Sequence, residues 1–266
     1  MKFKWSVRVW VDGEKPLSAR NVTNGLEVPI TDTIFPIVQA DGPGPWYPIG
    51  TGFFIGPFGL FATAKHVLFD REGNHLGSLV GAQLVYAESR IEMREIVKVS
   101  AHERADVAVG VLRQADDQAG TPNTRLTLTE RIPEPDSEVL SIAFPRGEAV
   151  GEPGKFRITV RTAAIKGRLS QHYPERRDSV MLPGRCYQTT MDIRGGASGG
   201  PVAFGDGSIF GINSTGMESE DEQIGWVSSI ADILDLPLNK VQLPDGERRE
   251  WVTVRELASR GMVALD

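Results

Sequence analysis

Apolar residues recur at every second position along most of this chain. Trp5, Val7, Val9 and Val11 open the series, and residues 35–38, 52–55, 60–64, 82–86, 91–99 and 107–112 continue it. A period of two sends successive side chains to opposite faces of an extended backbone, so these runs predict half-buried β-strands. Pro, Gly and Asp clusters at residues 41–45 and 57–59 interrupt the pattern and predict turns. Residues 139–144, 156–165, 186–190, 208–212 and 224–228 form a second series, enriched in β-branched and aromatic side chains. The polar stretch from Gln114 to Thr124, centred on Asp116 to Pro122, is the predicted connector between two halves. Short helices are predicted only near the C-terminus, from Ala231 and over Val252 to Arg260. Many short strands with little helix imply an all-β chain of closed antiparallel barrels rather than a parallel sheet.

Composition removes several function classes. At 266 residues, 40% of them hydrophobic, the chain can bury a full core without covalent staples. Its net charge is −6 and no dense Lys/Arg stripe is present, so neither nucleic acid nor membrane is expected as a partner. The single cysteine, Cys186, excludes an intrachain disulfide, and its strand-like surroundings predict a buried, inert thiol. The first ten residues alternate and lack the continuous apolar run of a secretion signal, and no stretch is long enough to span a bilayer. A cytoplasmic location is the expectation.

Three segments carry candidate chemistry. Thr63-Ala64-Lys65-His66 closes one apolar run, Asp106-Val107-Ala108-Val109 opens another, and Ser198 lies in Gly195-Gly196-Ala197-Ser198-Gly199-Gly200-Pro201. Glycines around one hydroxyl let the backbone turn sharply, so that its N–H groups converge on whatever that hydroxyl attacks. A serine hydroxyl needs a base within hydrogen-bond reach, and histidine takes and returns a proton near neutrality. A carboxylate on its far nitrogen fixes the tautomer. Ser198, His66 and Asp106 are therefore the candidate nucleophile, base and orienting acid. His75 and His172 lie in polar, surface-like segments. His102 and Asp106 have the i, i+4 spacing of a metal pair on a helix, but their segment reads as a loop and no further ligand stands out. No metal or cofactor is expected.

With Gly50-Thr51-Gly52-Phe53 leading into Thr63-Ala64-Lys65-His66, then Asp106-Val107-Ala108-Val109, then Gly196-Ala197-Ser198-Gly199-Gly200-Pro201, the chain resembles the chymotrypsin-fold (trypsin-like) serine proteases. The likeness is to the compact, disulfide-free bacterial type, which includes HtrA-like and glutamyl-endopeptidase-like enzymes. It implies two six-stranded antiparallel β-barrels with the active site in the cleft between them. The protease domain would span residues 30–236, with barrels at about 30–115 and 125–236, leaving residues 1–29 as an N-terminal extension and 237–266 as a tail. The implied activity is hydrolysis of protein or peptide substrates through an acyl-enzyme, with the N–H groups of Gly196 and Ser198 as the oxyanion hole.

The same resemblance implies the substrate contacts. Asn213, Ser214, Thr215 and Gly216 lie where the family pairs a strand with an extended substrate. Asp192 and Ile193 belong to one pocket wall, with Met217 and Trp226 on the other. Asp192, six residues before Ser198, stands where trypsin-type enzymes read Arg or Lys; it implies a basic preference or points to solvent. Ala197 departs from the aspartate of cleavage-activated relatives, so control falls to expression, an activating partner or allostery. The alternative reading is a protease-fold peptide-binding or regulatory module with little turnover. A different-fold esterase is disfavoured, because Pro201-Val202 leads into a strand and every histidine precedes Ser198.

Overall fold

The architecture follows from a computed structural model, which describes residues 6–7, 18–20, 27–39, 47–85, 90–114, 123–145, 148–152, 155–218, 223–243 and 246–266. Three short strands, β1 (Ser6–Val7), β2 (Ser18–Arg20) and β3 (Glu27–Pro29), precede the first barrel. That barrel comprises β4 (Ile34–Gln39), β5 (Tyr47–Phe54), β6 (Leu60–Thr63), β7 (Leu79–Val85), β8 (Arg90–Ala101) and β9 (Ala108–Leu112), closed in the order β4-β5-β6-β9-β8-β7. One helical turn, α1 (Lys65–Leu68), follows β6. The second barrel is built from β10 (Glu138–Ala143), β13 (Ala163–Tyr173), β14 (Cys186–Thr189), β15 (Pro201–Ala203), β16 (Ile209–Glu218) and β17 (Gln223–Ser229), closed as β10-β13-β14-β17-β16-β15. Between β10 and β13 a separate hairpin, β11 (Glu148–Glu152) with β12 (Lys155–Val160), pairs with β1. The two six-stranded antiparallel barrels implied by the resemblance are thus present.

Closure removes the sheet edges and leaves an interior that only side chains can fill. In the first barrel Phe35 packs against Phe54 and edge-on against Phe61, with centroids 5.0 and 5.3 Å apart. Gly52 makes room for this cluster, since a Cβ there would lie 2.6 Å from the Phe35 ring. Strand β10 shows how the sequence alternation becomes structure: Val139, Ser141 and Ala143 are buried, and the residues between them are less so. The run 156–165, a single strand by its pattern, is two strands broken at Arg161-Thr162, because β12 joins the hairpin sheet and β13 joins the barrel. The predicted connector at Asp116 to Pro122, and Trp5, Val9 and Val11 near the N-terminus, lie outside the described residues.

Residues 237–266 pack as part of the body rather than trailing from it. They form the hairpin β18 (Pro237–Gln242) and β19 (Arg248–Thr253), then α3 (Val254–Ser259). Short helix α2 (Ala231–Leu234) precedes them. Leu238, Val252, Val254, Leu257 and Val263 belong to the same buried cluster as the first barrel. Thr253 caps α3 by accepting from the Glu256 N–H, and Arg255 clasps Glu130 through both guanidinium ends. Leu257 is 1% exposed, so Leu257→Ala leaves a buried cavity. It should lower the unfolding free energy by about 2–5 kcal/mol in a urea titration, whereas a true tail would show no change.

Candidate active site

His66, Asp106 and the Ser198 loop approach one another from three separate elements. His66 is the second residue of α1, half-exposed at the end of the first barrel. The backbone N–H groups at a helix start have no intrahelical acceptor. Asp106, in the loop between β8 and β9, supplies one: its Oδ1 accepts from His66 N at 3.0 Å. The same carboxylate meets His66 Nδ1 at 3.1 Å through Oδ1 and 2.9 Å through Oδ2. Main chain and ring of His66 are therefore fixed by one group.

Ser214 completes this cluster, a role its sequence position did not disclose. The β16–β17 register shifts between Asn213 and Thr215, so Ser214 sits at a bulge. A bulge re-aims the side chain of its extra residue. The Ser214 hydroxyl donates to Asp106 Oδ2 at 2.5 Å, and its carbonyl accepts the Ser198 hydroxyl at 3.0 Å. The Ser198 hydroxyl is thus turned toward the Ser214 carbonyl.

Burial works against the Asp106 charge, but the His66 ring, the charge it can carry, the Ser214 hydroxyl and the His66 N–H together hold the carboxyl below its usual range. For His66 burial again opposes the charge, and the Asp106 hydrogen bond and negative charge outweigh it, so its pKa is raised above 6.5. The signs differ. Stabilisation through His66 is present below 6.5 and fades as pH rises through the raised value; that through Asp106 is present above the ordinary carboxylate range and fades as pH falls through the lowered value.

The Ser198 loop is shaped by two glycines and one threonine. Ala197 N donates to Arg194 O at 2.9 Å, and Gly196 takes φ +87°, the values of a type II turn. Ala197, Gly199 and Gly200 N–H all bond to backbone carbonyls, whereas among the described residues none accepts from Gly196 or Ser198 N–H. Two free donors flanking a buried Ala197 are what an oxyanion would need. Gly199 has φ +86°, and a Cβ there would lie 2.2 Å from Thr51 O and Thr63 Oγ1. Only glycine fits.

Thr51 anchors the loop to the first barrel. Its N–H donates to Ser198 O at 2.8 Å and its hydroxyl to Gly196 O at 2.9 Å. The same hydroxyl accepts from Phe144 N at 3.0 Å, and Thr51 O accepts from Thr63 Oγ1 at 2.7 Å.

The substrate-contact residues divide. Ser214 is committed to Asp106, while Thr215 and Gly216 remain partly exposed along β16. Asn213 is wholly buried, and its amide donates to Ser141 Oγ at 2.6 Å and Ala197 O at 3.2 Å. Asp192 is paired with Arg194 at 2.5 Å, both side chains remaining partly exposed. Asp192 and Ile193 line a cavity of about 250 Å³ with Met191, Met217, Gln223 and Ile224. Gly216 crosses close beneath Ile193, whose carbonyl would lie 2.1 Å from a Cβ at that position. Elsewhere Cys186 is buried, its thiol pushed up to about 11 by burial, as an inert cysteine would be. No group of His, Cys, Asp and Glu suited to a metal ion occurs among the described residues.

A two-barrel fold with this cleft defines the chymotrypsin-like class. Residues 50–212 match the trypsin-like peptidase domain, and the chain belongs to that family and with it to the serine endopeptidases. The fold is also that of several solved structures. The active form of the Rv3671c protease from M. tuberculosis is 19% identical over 76% of this chain and 78% of that one, with a TM-score of 0.53. Deg5 is 18% identical over 76% and 85%, at 0.54. The MamO protease domain from Magnetospirillum magneticum is 13% identical over 76% and 94%, at 0.53. No curated protein matches the sequence.

The Thr51 hydroxyl both supports Gly196 and satisfies a buried amide, so Thr51→Val leaves Phe144 N without an acceptor. A loss of about 1–3 kcal/mol in urea unfolding is expected, with Thr51→Ser close to wild type.

Proposed function

We propose that the protein hydrolyses peptide bonds with Ser198 as nucleophile, His66 as general base and acid, and Asp106 as the carboxylate that orients His66. The bond between His66 Nδ1 and Asp106 Oδ2 at 2.9 Å carries this reading, because it leaves Nε2 as the proton acceptor on the side of the cleft. An extended peptide pairs with β16 at Ser214 to Gly216, and the scissile carbonyl comes to rest before the Gly196 and Ser198 N–H groups. Ser198 Oγ turns from Ser214 O to His66 Nε2, loses its proton there and attacks the carbonyl. His66 returns the proton to the departing amine, leaving an acyl-enzyme. Water, activated by the same imidazole, then releases the acid and restores Ser198.

The present hydrogen bond from Ser198 to Ser214 O favours a gated enzyme over a constitutive one. In the gated reading an activating protein partner or the substrate itself supplies the rotation. The alternative, a peptide-binding or regulatory module with little turnover, predicts that the serine stays engaged with Ser214 even when a peptide is bound.

Labelling by a fluorophosphonate probe separates these readings. Wild type should label, and Ser198→Ala and His66→Ala should not. Peptide hydrolysis should fall on the order of 10⁶-fold in Ser198→Ala. Folded wild type that never labels, with or without a peptide present, would favour the binding module. Because His66 must be neutral to accept a proton and its pKa is raised above 6.5, the labelling rate should reach half its maximum above pH 6.5. Asp106→Asn should reduce the maximum by about 10⁴-fold by presenting the wrong tautomer.

A further inference from the structure

The carboxylate of Asp106 is only as well placed as the loop that holds it, and that loop contains a second histidine. Residues 102–107 connect β8 to β9, and His102 N donates to Val107 O at 3.0 Å to close the connection. Inside it, His102 Nδ1 accepts two backbone hydrogen bonds, from Arg104 N at 3.2 Å and Ala105 N at 2.8 Å. This is the bonding of an Asx turn, in which a side-chain acceptor at one residue receives the N–H groups two and three positions on, with an imidazole nitrogen replacing the usual oxygen. The carbonyls of the loop are held from the other side: Lys65 Nζ, next to His66, donates to His102 O and Glu103 O, each at 2.9 Å. Ala105, immediately before Asp106, is buried against Gly184, where a Cβ would lie 2.3 Å from that of Ala105.

We infer that His102 is a positioning residue for the reaction, one that sets Asp106 through the neutral, Nδ1-accepting form of its ring. The inference rests on the proposed roles of His66, Asp106 and Ser198. An imidazole nitrogen accepts only through a lone pair, so the cap requires hydrogen on Nε2 and none on Nδ1. Protonating Nδ1 replaces the acceptor by a donor facing two other donors. The loop must then open, and Asp106 loses its register with His66. Charged groups around the ring do not rescue this. Lys65 faces the loop carbonyls, Glu103 and Arg104 project from the exposed part of the loop, and Asp106 is engaged with His66 and Ser214. Across Ala105, Asp232 is paired with Arg185. Two histidines thus act in series, one that accepts the proton of catalysis and one that keeps its partner in place.

The experiment combines NMR of histidine side chains with the pH dependence of fluorophosphonate labelling, on wild type, His102→Asn and His102→Leu. Asparagine offers a non-titrating Asx acceptor; leucine offers none. At alkaline pH the His102 ring of wild type should be the Nε2–H tautomer, and an Nδ1–H tautomer would overturn the proposal. His102→Asn should keep the labelling plateau within about threefold of wild type. In His102→Leu the plateau should fall about tenfold or more, and the His66 titration should move down toward 6.5 as Asp106 drifts from it. A His102→Asn plateau that falls as far as that of His102→Leu, or an unshifted His66 in folded His102→Leu, would sink the inference. The tautomer and the His66 titration need no turnover, so absence of any Ser198 labelling would count against the protease reading alone.

Discussion

The buried hydroxyl of Thr51 joins the three parts on which the site depends. It donates to Gly196 O in the nucleophile loop, accepts from Phe144 N in the second barrel, and sits on β5 of the first. Within the same residue the N–H holds Ser198 O and the carbonyl is braced by Thr63. A loop rich in glycine has a large conformational entropy to lose, and without disulfides it must be fixed by hydrogen bonds and burial. Thr51 supplies the former, and Ala197, fully buried in the core of the second barrel, supplies the latter.

This arrangement explains why the residue before the serine can be alanine. An aspartate there would be enclosed among Val139, Ala143, Met191 and Val202, in a cluster of apolar side chains. A buried carboxylate without a cation is costly, so such a loop would need the salt bridge that cleavage-activated relatives make. Here the Ala197 carbonyl instead receives the Asn213 amide, and Gly199 and Gly200 pair with the Asn213 backbone. The loop is shaped by neutral groups already present in the folded chain.

Much of this was legible in the chain. Alternation located most barrel strands because a closed barrel buries one face of every strand, and that burial leaves a period-two record. The His66, Asp106 and Ser198 segments were readable because each needs small or apolar neighbours at a strand end. The roles of Asn213 and Asp192 were not. A residue facing substrate and one facing the core can occupy adjacent positions on one strand, and a bulge at Ser214 decides which is which. Asp192 pairs with Arg194, two residues away, a contact that depends on the path of the intervening turn.

The C-terminal segment makes the same point at larger scale. Its amphipathic pattern announced a helix but not its destination, and Val254 and Leu257 of α3 join the buried cluster that holds the first-barrel core. The sequence by itself determined what is local: the strand periodicity, the glycines that permit the nucleophile turn, and the residue types able to move a proton. Tertiary structure alone decided which carboxylate meets which imidazole, that Ser214 receives the serine's proton, and that His102 caps the loop beneath Asp106. The first of those contacts joins residues 40 positions apart and the Ser214–Asp106 bond beside it residues 108 apart, and no pattern of neighbours along the chain encodes a distance closed only by folding.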